Sequence, residues 1–351
     1  MRQRLFFHDK PVIGIDITHT YIKAMSVDIT KWSVTSYGSI TTDPTKLLSS
    51  LTESSDYLSE AITTLIKENI VGKLPSDHAV ISIPTNLTYS RSLRIPKAAV
   101  KKLEDAILLE AEQYIPIPLS ELNVSYEVLS QTSDSIEVLM SAAPKKIIAN
   151  VIRACQSAGL WPLLIQPSIN AASRLIMLTE EGTLPTVMVD IGARTTDLAI
   201  LNERIRANAS LQIGGNYFTY VISKKLNISL EQAHQIKILH GLAHGNKQAR
   251  IADALRPSLE QMITEIRKII RYYDERIDSS QKIQQIVIIG SGSNLPGIGE
   301  FFTNELVMPA RIASPWLALD FGLLPPPPKQ FRPRYMTAAG IASIEPGDIW
   351  K

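Results

Sequence analysis

Cysteine is nearly absent from this chain of 351 residues, which contains only Cys155. A single thiol excludes an intrachain disulfide and a zinc site built of thiolates, and it is typical of proteins in a reducing compartment. Long hydrophobic runs are absent as well, since stretches such as 286–289 fall far below the ~20 residues of a bilayer-spanning helix. We therefore expect a cytoplasmic protein that does not insert directly into a membrane.

The chain also lacks an excess of charge of either sign. It has 36 Lys and Arg residues against 34 Asp and Glu residues, a net charge of +2, so it offers no broad basic surface for nucleic acid. Hydrophobic residues make up 45% and charged residues 20%, as in ordinary globular proteins. The length predicts about two domains, or one body of two lobes.

Short apolar strands alternate with helical patterns along the chain, which predicts a mixed α/β architecture. Residues 12–17 form a predicted buried strand, followed across a tight turn by a second strand at 20–27. The second half repeats this plan with strands at 187–191 and 196–202. The segment 215–280 shows only helical patterns, the last of them beginning near Pro257.

Two hairpins of one design form this internal repeat. Asp16 opens a turn of small polar residues at 17–20, and Asp190 opens a similar turn at 191–195. The amides and hydroxyls of such turns can bind phosphate oxygens, and an aspartate at a strand end can hold Mg²⁺ through water. A third turn, at 290–295, has glycines against which a purine or ribose can lie closely. Each turn alone is an ordinary one, but the three together predict a nucleotide site.

This order of segments resembles the actin-like ATPase superfamily. The corresponding segments are a first phosphate loop at 16–23, a second at 190–197, an adenosine loop at 290–295, and connecting segments at 166–172 and 338–342. The resemblance implies an α/β fold of two lobes, with duplicated ribonuclease-H-like cores, around a nucleotide cleft and with inserted subdomains.

Within that superfamily the chain resembles the PilM family of type IV pilus assembly, and it does so over nearly its whole length. The likeness rests on Glu-Ala-Glu-Gln-Tyr-Ile-Pro at 110–116, Val-Ser-Tyr-Glu-Val-Leu at 124–129, Ile-Gly-Gly-Asn at 213–216 and the segment 233–237. The cell-division protein FtsA is the nearest related alternative.

The resemblance also implies a domain organisation. It gives a first lobe at 1–185 and a second at 186–351. An inserted subdomain at about 91–162 would bind a partner, and a helical subdomain would occupy about 215–284. The C-terminal segment, about 336–351, is expected to return to the first lobe.

Site residues follow from the same resemblance. Asp16 and Asp190 would flank a magnesium ion, held through water, and the two phosphate loops would hold the phosphates of ATP or ADP. Residues 214–216 would border the ribose, and Lys237, with Gln232 or Glu231, would approach the adenine. The residues expected to contact the nucleotide are Asp16, Thr18, His19, Thr20, Lys23, Asp190, Gly192, Ala193, Arg194, Thr195, Gly214, Gly215, Asn216, Lys237, Gly290, Gly292 and Ser293.

Two positions modify this expectation. Gln166 stands where related ATPases place the group that positions the attacking water. An amide orients water but does not accept its proton at neutral pH, so at most slow ATP hydrolysis is expected. Thr18 stands where the family usually has glycine. Because the Cβ of threonine disfavours a positive φ, this replacement is expected to alter the phosphate contact of the first loop.

The resemblance thus predicts a cytoplasmic ATP-binding adaptor in which the nucleotide sets the angle between two lobes. Its partner would be the short cytoplasmic N-terminal peptide of a PilN-like inner-membrane protein. That peptide and other pilus assembly proteins would recruit it to the inner face of the membrane. The alternatives are an FtsA-like division ATPase or filament protein, and an actin-fold ATPase or kinase with its own small-molecule substrate. A kinase needs a dedicated base beside the acceptor hydroxyl, and the sequence shows no such signature between the phosphate loops.

Overall fold

The computed structural model describes residues 11–53, 55–179, 184–242, 248–278 and 280–349. The strands, numbered along the chain, are β1 (Ile13–Ile17), β2 (Tyr21–Asp28), β3 (Ser33–Thr41), β4 (Ile70–Gly72), β5 (His78–Ile83), β6 (Tyr89–Pro96), β7 (Leu122–Gln131), β8 (Ser135–Pro144), β9 (Trp161–Pro167), β10 (Thr186–Ile191), β11 (Thr196–Asn202), β12 (Arg204–Leu211), β13 (Gln285–Ile289) and β14 (Ala310–Ile312). The helices are α1 (Pro44–Thr52), α2 (Tyr57–Glu68), α3 (Leu103–Glu112), α4 (Lys145–Ser157), α5 (Ser168–Thr179), α6 (Gly215–Leu226), α7 (Leu230–Leu239), α8 (Gln248–Arg276), α9 (Ile298–Leu306), α10 (Met336–Ala342) and α11 (Pro346–Ile349).

The described residues divide into two compact units. The first contains the residues up to Leu175, together with Leu319–Pro325 and those from Thr337 onward. The second contains Ile176–Ala318 and Pro326–Met336. Each unit is built on its own β-sheet with helices, so the predicted mixed α/β architecture is confirmed.

A six-stranded sheet, in the order β4-β3-β2-β1-β5-β9, forms the centre of the first unit. Its central strand β1 pairs antiparallel with β2 and parallel with β5. Apolar residues of α1, α2 and α4 pack on one side of it, including Leu51, Leu58 and Val151. Cys155 lies in the same core, where burial raises the pKa of its thiol to about 12 and keeps it in the unreactive neutral form.

The inserted subdomain of the first unit is a separate three-stranded antiparallel sheet, in the order β6-β8-β7. Helix α3 packs on it around Ile107, Ala111 and Val138. This sheet overlaps the inserted subdomain predicted at about 91–162. Helix α4 contributes its apolar face to the core of the six-stranded sheet, so the separate layer consists of β6 to β8 with α3.

The second unit has a five-stranded sheet in the order β12-β11-β10-β13-β14. Its strand β10 pairs antiparallel with β11 and parallel with β13, as β1 pairs with β2 and β5. Helix α8 already includes Gln248 and continues through Pro257, instead of beginning there as predicted. Ile251 and Leu255 are buried in the core ahead of the proline, and this packing offsets the cost of the hydrogen bond that the proline cannot make.

Helix α10 approaches the first unit's sheet closely. A Cβ at Gly14 in β1 would lie 2.7 Å from the carbonyl oxygen of Ala338 in α10. A Cβ at Gly340 in α10 would overlap the carbonyl oxygen of Ala171 in α5. The two predicted connecting segments, 166–172 and 338–342, therefore pack against each other. Among the described helices, none combines the length and apolar character needed to cross a bilayer.

The variant Gly340→Ala should be destabilised by about 1–3 kcal/mol, because its new methyl group meets backbone that cannot move without separating α5 from α10. Chemical denaturation measures this free energy of unfolding. Gly347→Ala is the matched control, since a Cβ there meets open space, and its unfolding free energy should stay within about 0.5 kcal/mol of wild type. Equal stability of the two variants would contradict the close packing.

Candidate functional site

A row of polar residues crosses the centre of the first unit's sheet. The strand register places Asp16 opposite Lys23 on one side and opposite Ser82 on the other, and Ser82 opposite Gln166. Paired residues of neighbouring strands project from the same face of a sheet, so these four side chains form one buried polar line.

Asp16 is held from both sides within this row. Lys23 Nζ donates to its Oδ2 at 2.5 Å, and Ser82 Oγ donates to its Oδ1 at 2.7 Å. Both Asp16 and Lys23 are buried, and the ion pair with its added hydrogen bond offsets the desolvation of the two charges. Lys23 therefore stabilises the carboxylate directly, a role additional to the predicted phosphate contact.

The turn after β1 is closed by Thr18. Its backbone N–H and its hydroxyl both donate to the carbonyl of Tyr21 at 2.9 Å, and its Oγ1 accepts from the Tyr21 N–H at 3.1 Å. The residue is not among those with positive φ, so threonine fits this position without backbone strain. His19 and Thr20 lie half-buried in the turn. The Thr18 hydroxyl thus serves the hairpin itself.

Gln166, at the end of β9, has an amide whose two ends differ in environment. Its Oε1 accepts a hydrogen bond from Arg174 Nη2 at 3.2 Å. Its Nε2 is buried and makes no hydrogen bond to any described residue. A buried polar group without a partner is costly, which makes this nitrogen a candidate contact for a bound molecule.

In the second unit, two carboxylates face each other across the equivalent hairpin. The register pairs Asp190 with Asp197, and Asp197 accepts a hydrogen bond from Ser210 Oγ at 2.5 Å. Asp197 thus occupies the place that Lys23 holds opposite Asp16. Facing carboxylates attract a cation, and Mg²⁺ is commonly held by one or two carboxylates plus water. The described residues contain no group of three or more His, Cys, Asp or Glu side chains arranged as metal ligands.

The turn between β10 and β11 is supported by the start of α6. Gly192 N–H donates to Thr195 O at 2.9 Å and closes the turn. The first amides of α6, those of Gly215 and Asn216, donate to Gly192 O and Ala193 O at 2.9 and 2.8 Å. A Cβ at Gly214 would lie 2.7 Å from the carbonyl oxygen of Ala193, so this contact requires glycine. Because these two amides hold the turn, they are not available to a ribose.

The third turn lies directly beside Asp190. Gly290 has φ +80°, and a Cβ there would overlap the Asp190 carboxylate and lie 2.6 Å from the carbonyl oxygen of Ile191. A Cβ at Gly292 would overlap the Ile191 side chain. Ser293 Oγ donates to Gly290 O at 2.7 Å and is buried. The glycines therefore let this turn approach the end of β10.

Lys237 of α7 reaches back to α6. Its Nζ donates to Gly215 O at 2.7 Å and to Thr219 Oγ1 at 2.8 Å, and burial lowers its pKa to about 8. An ammonium group has three donors, so one N–H remains for a ligand. Gln232, which was expected near the adenine, instead completes a capping box with Ser229 at the start of α7.

The predicted site residues thus fall into two groups. The first unit brings together Asp16 with its turn, Lys23 and Gln166. The second brings together Asp190 with the turn at 192–195, the start of α6, Lys237 and the turn at 290–293.

The second group contains strand-end carboxylates, a glycine cradle and a lysine with a spare N–H, which are the kinds of group that bind a nucleotide with magnesium. Sequence reasoning missed Ser82 and Arg174. Ser82 is a hydroxyl inside the apolar run at 79–83, which is the one signal that could have singled it out.

The pKa of Lys237 predicts an unusual pH dependence of stability. Between about pH 8 and 10.5 the unfolded chain keeps this proton while the folded chain has lost it, so stability rises with pH. From pH 7 to 10, the unfolding free energy of wild type should gain about 1–3 kcal/mol relative to Lys237→Met. Denaturant titration at both pH values measures this gain. Lys225→Met, which removes an exposed lysine of α6, is the control variant.

Three comparisons place this geometry among known proteins. The family model for "Type IV pilus assembly protein PilM" matches residues 14–344. A solved structure described as the "PilM-PilN type IV pilus biogenesis complex" superposes with a TM-score of 0.79 and 24% identity, covering 95% of this chain and 97% of that one. MreB 5 of Spiroplasma citri, solved bound to AMPPNP, gives a TM-score of 0.55 at 12% identity, with 95% of each chain covered.

Among curated proteins, the cell division protein FtsA of Neisseria meningitidis serogroup B is 26% identical over 216 residues, or 55% of this chain and 50% of that protein. The chain thus spans about half the length of the curated relatives it matches. The structural neighbours share one fold, and the family model covers almost all of the described chain. The chain therefore has the actin-like ATPase fold and belongs to the PilM family of type IV pilus assembly proteins.

Proposed function

We propose that this protein is a cytoplasmic, ATP-binding adaptor of type IV pilus assembly. It binds the cytoplasmic N-terminal peptide of a PilN-like inner-membrane protein and is held at the membrane through that partner. The observation that carries this proposal is the match to the PilM family over residues 14–344. The polar turns around Asp190 support the nucleotide-binding part of the proposal, and the sheet of β6 to β8 supports the partner-binding part.

The donor set supports a nucleotide with magnesium. Asp190 and Asp197 are the carboxylates that would hold the ion through water. The turn at 192–195 would cradle phosphate, and the turn at 290–293 would lie along the nucleoside. Bound magnesium would supply positive charge against the triphosphate. The neighbour MreB 5 was solved with AMPPNP, a nucleotide of this class.

The inserted subdomain supports a peptide partner. Strand β7 forms an edge of the β6-β8-β7 sheet, and its residues Tyr126 and Val128 are 39% and 44% exposed. An extended peptide can add to such an edge through main-chain hydrogen bonds while its side chains contact the exposed apolar residues. The structural neighbour with the TM-score of 0.79 is itself a complex of PilM with PilN. We therefore place the peptide along β7.

Loss of charge at Asp190 should weaken magnesium-dependent nucleotide binding. Asp190→Asn keeps the side-chain size beside Gly290 but removes the charge that attracts Mg²⁺, so Kd for Mg-ATP should rise by at least about tenfold in calorimetry. Chelating magnesium from wild type should have a similar effect. Asp253→Ala, an exposed acid on α8, is the control and should bind ATP like wild type. Unchanged affinity in Asp190→Asn would contradict the nucleotide site.

Polar substitutions on β7 should weaken partner binding. Tyr126→Ser and Val128→Ser together remove the apolar surface beside the proposed peptide, so Kd for a synthetic PilN-like N-terminal peptide should rise at least about tenfold in fluorescence anisotropy. Val307→Ser is the matched control, because Val307 is 92% exposed and lies in the second unit. If the β7 variant bound the peptide as tightly as the control, the peptide would lie elsewhere.

A further inference from the structure

The orientation of the Gln166 amide is set by a residue outside the predicted nucleotide contacts. Arg174, two turns along α5, donates from Nη2 to Gln166 Oε1 at 3.2 Å and from Nη1 to Gly340 O at 3.1 Å. These two hydrogen bonds form a bridge from Gln166 to Gly340. Gly340 lies on α10, which packs against α5 at Ala171. The planar guanidinium is therefore fixed by two carbonyl-type acceptors.

This bridge admits only one orientation of the amide. A flipped Gln166 would point its two N–H donors at a guanidinium, which has donors only, and the hydrogen bond would become a repulsive contact. Arg174 thus holds Oε1, and the group left over is Nε2, which is buried and makes no hydrogen bond to any described residue. At the position that the family resemblance assigns to the water-positioning group, the end of β9 therefore carries a buried hydrogen-bond donor.

The polarity of this group matters for attack by water. In ATP hydrolysis the water oxygen forms a bond to the γ-phosphorus, and the bond from that phosphorus to the β–γ bridging oxygen breaks. ADP leaves with the electron pair, and the protons of the water pass to inorganic phosphate and solvent. An acceptor such as Oε1 binds a water hydrogen and leaves the oxygen lone pair free to attack. A donor such as Nε2–H instead binds the lone pair itself.

We infer that Arg174 restrains ATP hydrolysis by sequestering Gln166 Oε1, so that the chain keeps its nucleotide instead of turning it over. This inference rests on the proposed nucleotide site. Arg174 is a positioning residue here, because it acts through the amide of Gln166 and touches no reacting atom. A chain that holds ATP unhydrolysed suits an adaptor whose conformation is maintained by bound nucleotide.

Single-turnover hydrolysis of Mg-ATP tests this role. Arg174→Met removes the guanidinium and frees the amide to rotate, so the rate should rise at least about tenfold while Kd for ATP stays within about threefold of wild type. The gain must depend on the amide, so Arg174→Met combined with Gln166→Leu should return to the slow rate. A gain that persists without Gln166, or no gain in a variant that still binds ATP, would overturn the inference.

Two further measurements keep the test decisive. In the nucleotide-free protein, Arg174→Met and Gln166→Leu should lower the thermal midpoint non-additively, because both variants remove the same hydrogen bond between Arg174 and Gln166. Strict additivity of the two losses would count against this hydrogen bond. If Arg174→Met does not fold, Gln166→Glu replaces it. One carboxylate oxygen stays paired with Arg174 and the other puts an acceptor in the place of Nε2, so its hydrolysis should be at least about tenfold faster than that of wild type. Hydrolysis as slow as wild type, in a variant that still binds ATP, would overturn the inference. Failure of wild type to bind ATP at all would overturn the proposed function together with it.

Discussion

A buried aspartate near the end of a central strand, Asp16, is the constraint around which the first unit is arranged. Taking a carboxylate out of water is expensive unless another group neutralises it or donates hydrogen bonds to it. In the first unit, Lys23 of β2 and Ser82 of β5 both donate hydrogen bonds to the Asp16 carboxylate, and Lys23 also neutralises its charge. The antiparallel pairing with β2 and the parallel pairing with β5 are therefore as much a part of the site as the aspartate itself.

The two hairpins repeat one geometry with opposite electrostatics. Lys23 faces Asp16 in the first, whereas Asp197 faces Asp190 in the second. In the proposed function, Asp190 and Asp197 hold the magnesium ion through water, whereas Lys23 neutralises Asp16 directly.

Close packing of the backbone recurs around the polar groups of both units. Glycines at 214, 290 and 340 let the main chain come into direct contact with neighbouring backbone or with Asp190. The arginine bridge from α5 to α10 belongs to the same pattern, because it ties the end of β9 to two packed helices. The inserted sheet differs from this core, since β7 exposes apolar side chains at an edge strand. This contrast suits a scaffold whose interior is fixed and whose insertion offers a contact surface.

Local patterns in the sequence were sufficient for several elements and insufficient for others. The buried runs of β1, β10 and β13 and the apolar face of α8 were visible because their periodicity is strong. The start of α8 was missed because packing of Ile251 and Leu255 overrides the local effect of Pro257. The polar and mixed strands β6 and β12 were missed because exposure on one face leaves little apolar periodicity to detect.

The sequence by itself determined the fold class, the repeat of the two hairpins and the segments that resemble an actin-like nucleotide site, because glycines, acids and apolar runs encode these locally. Only the tertiary structure decided which side chains meet. The pairing of Asp16 with Lys23 and Ser82, and the hold of Arg174 on Gln166, depend on strand order and helix packing. Such contacts join residues as distant as Asp16 and Ser82, and no local pattern specifies them, since a shift of one residue in the strand register would turn each side chain to the opposite face.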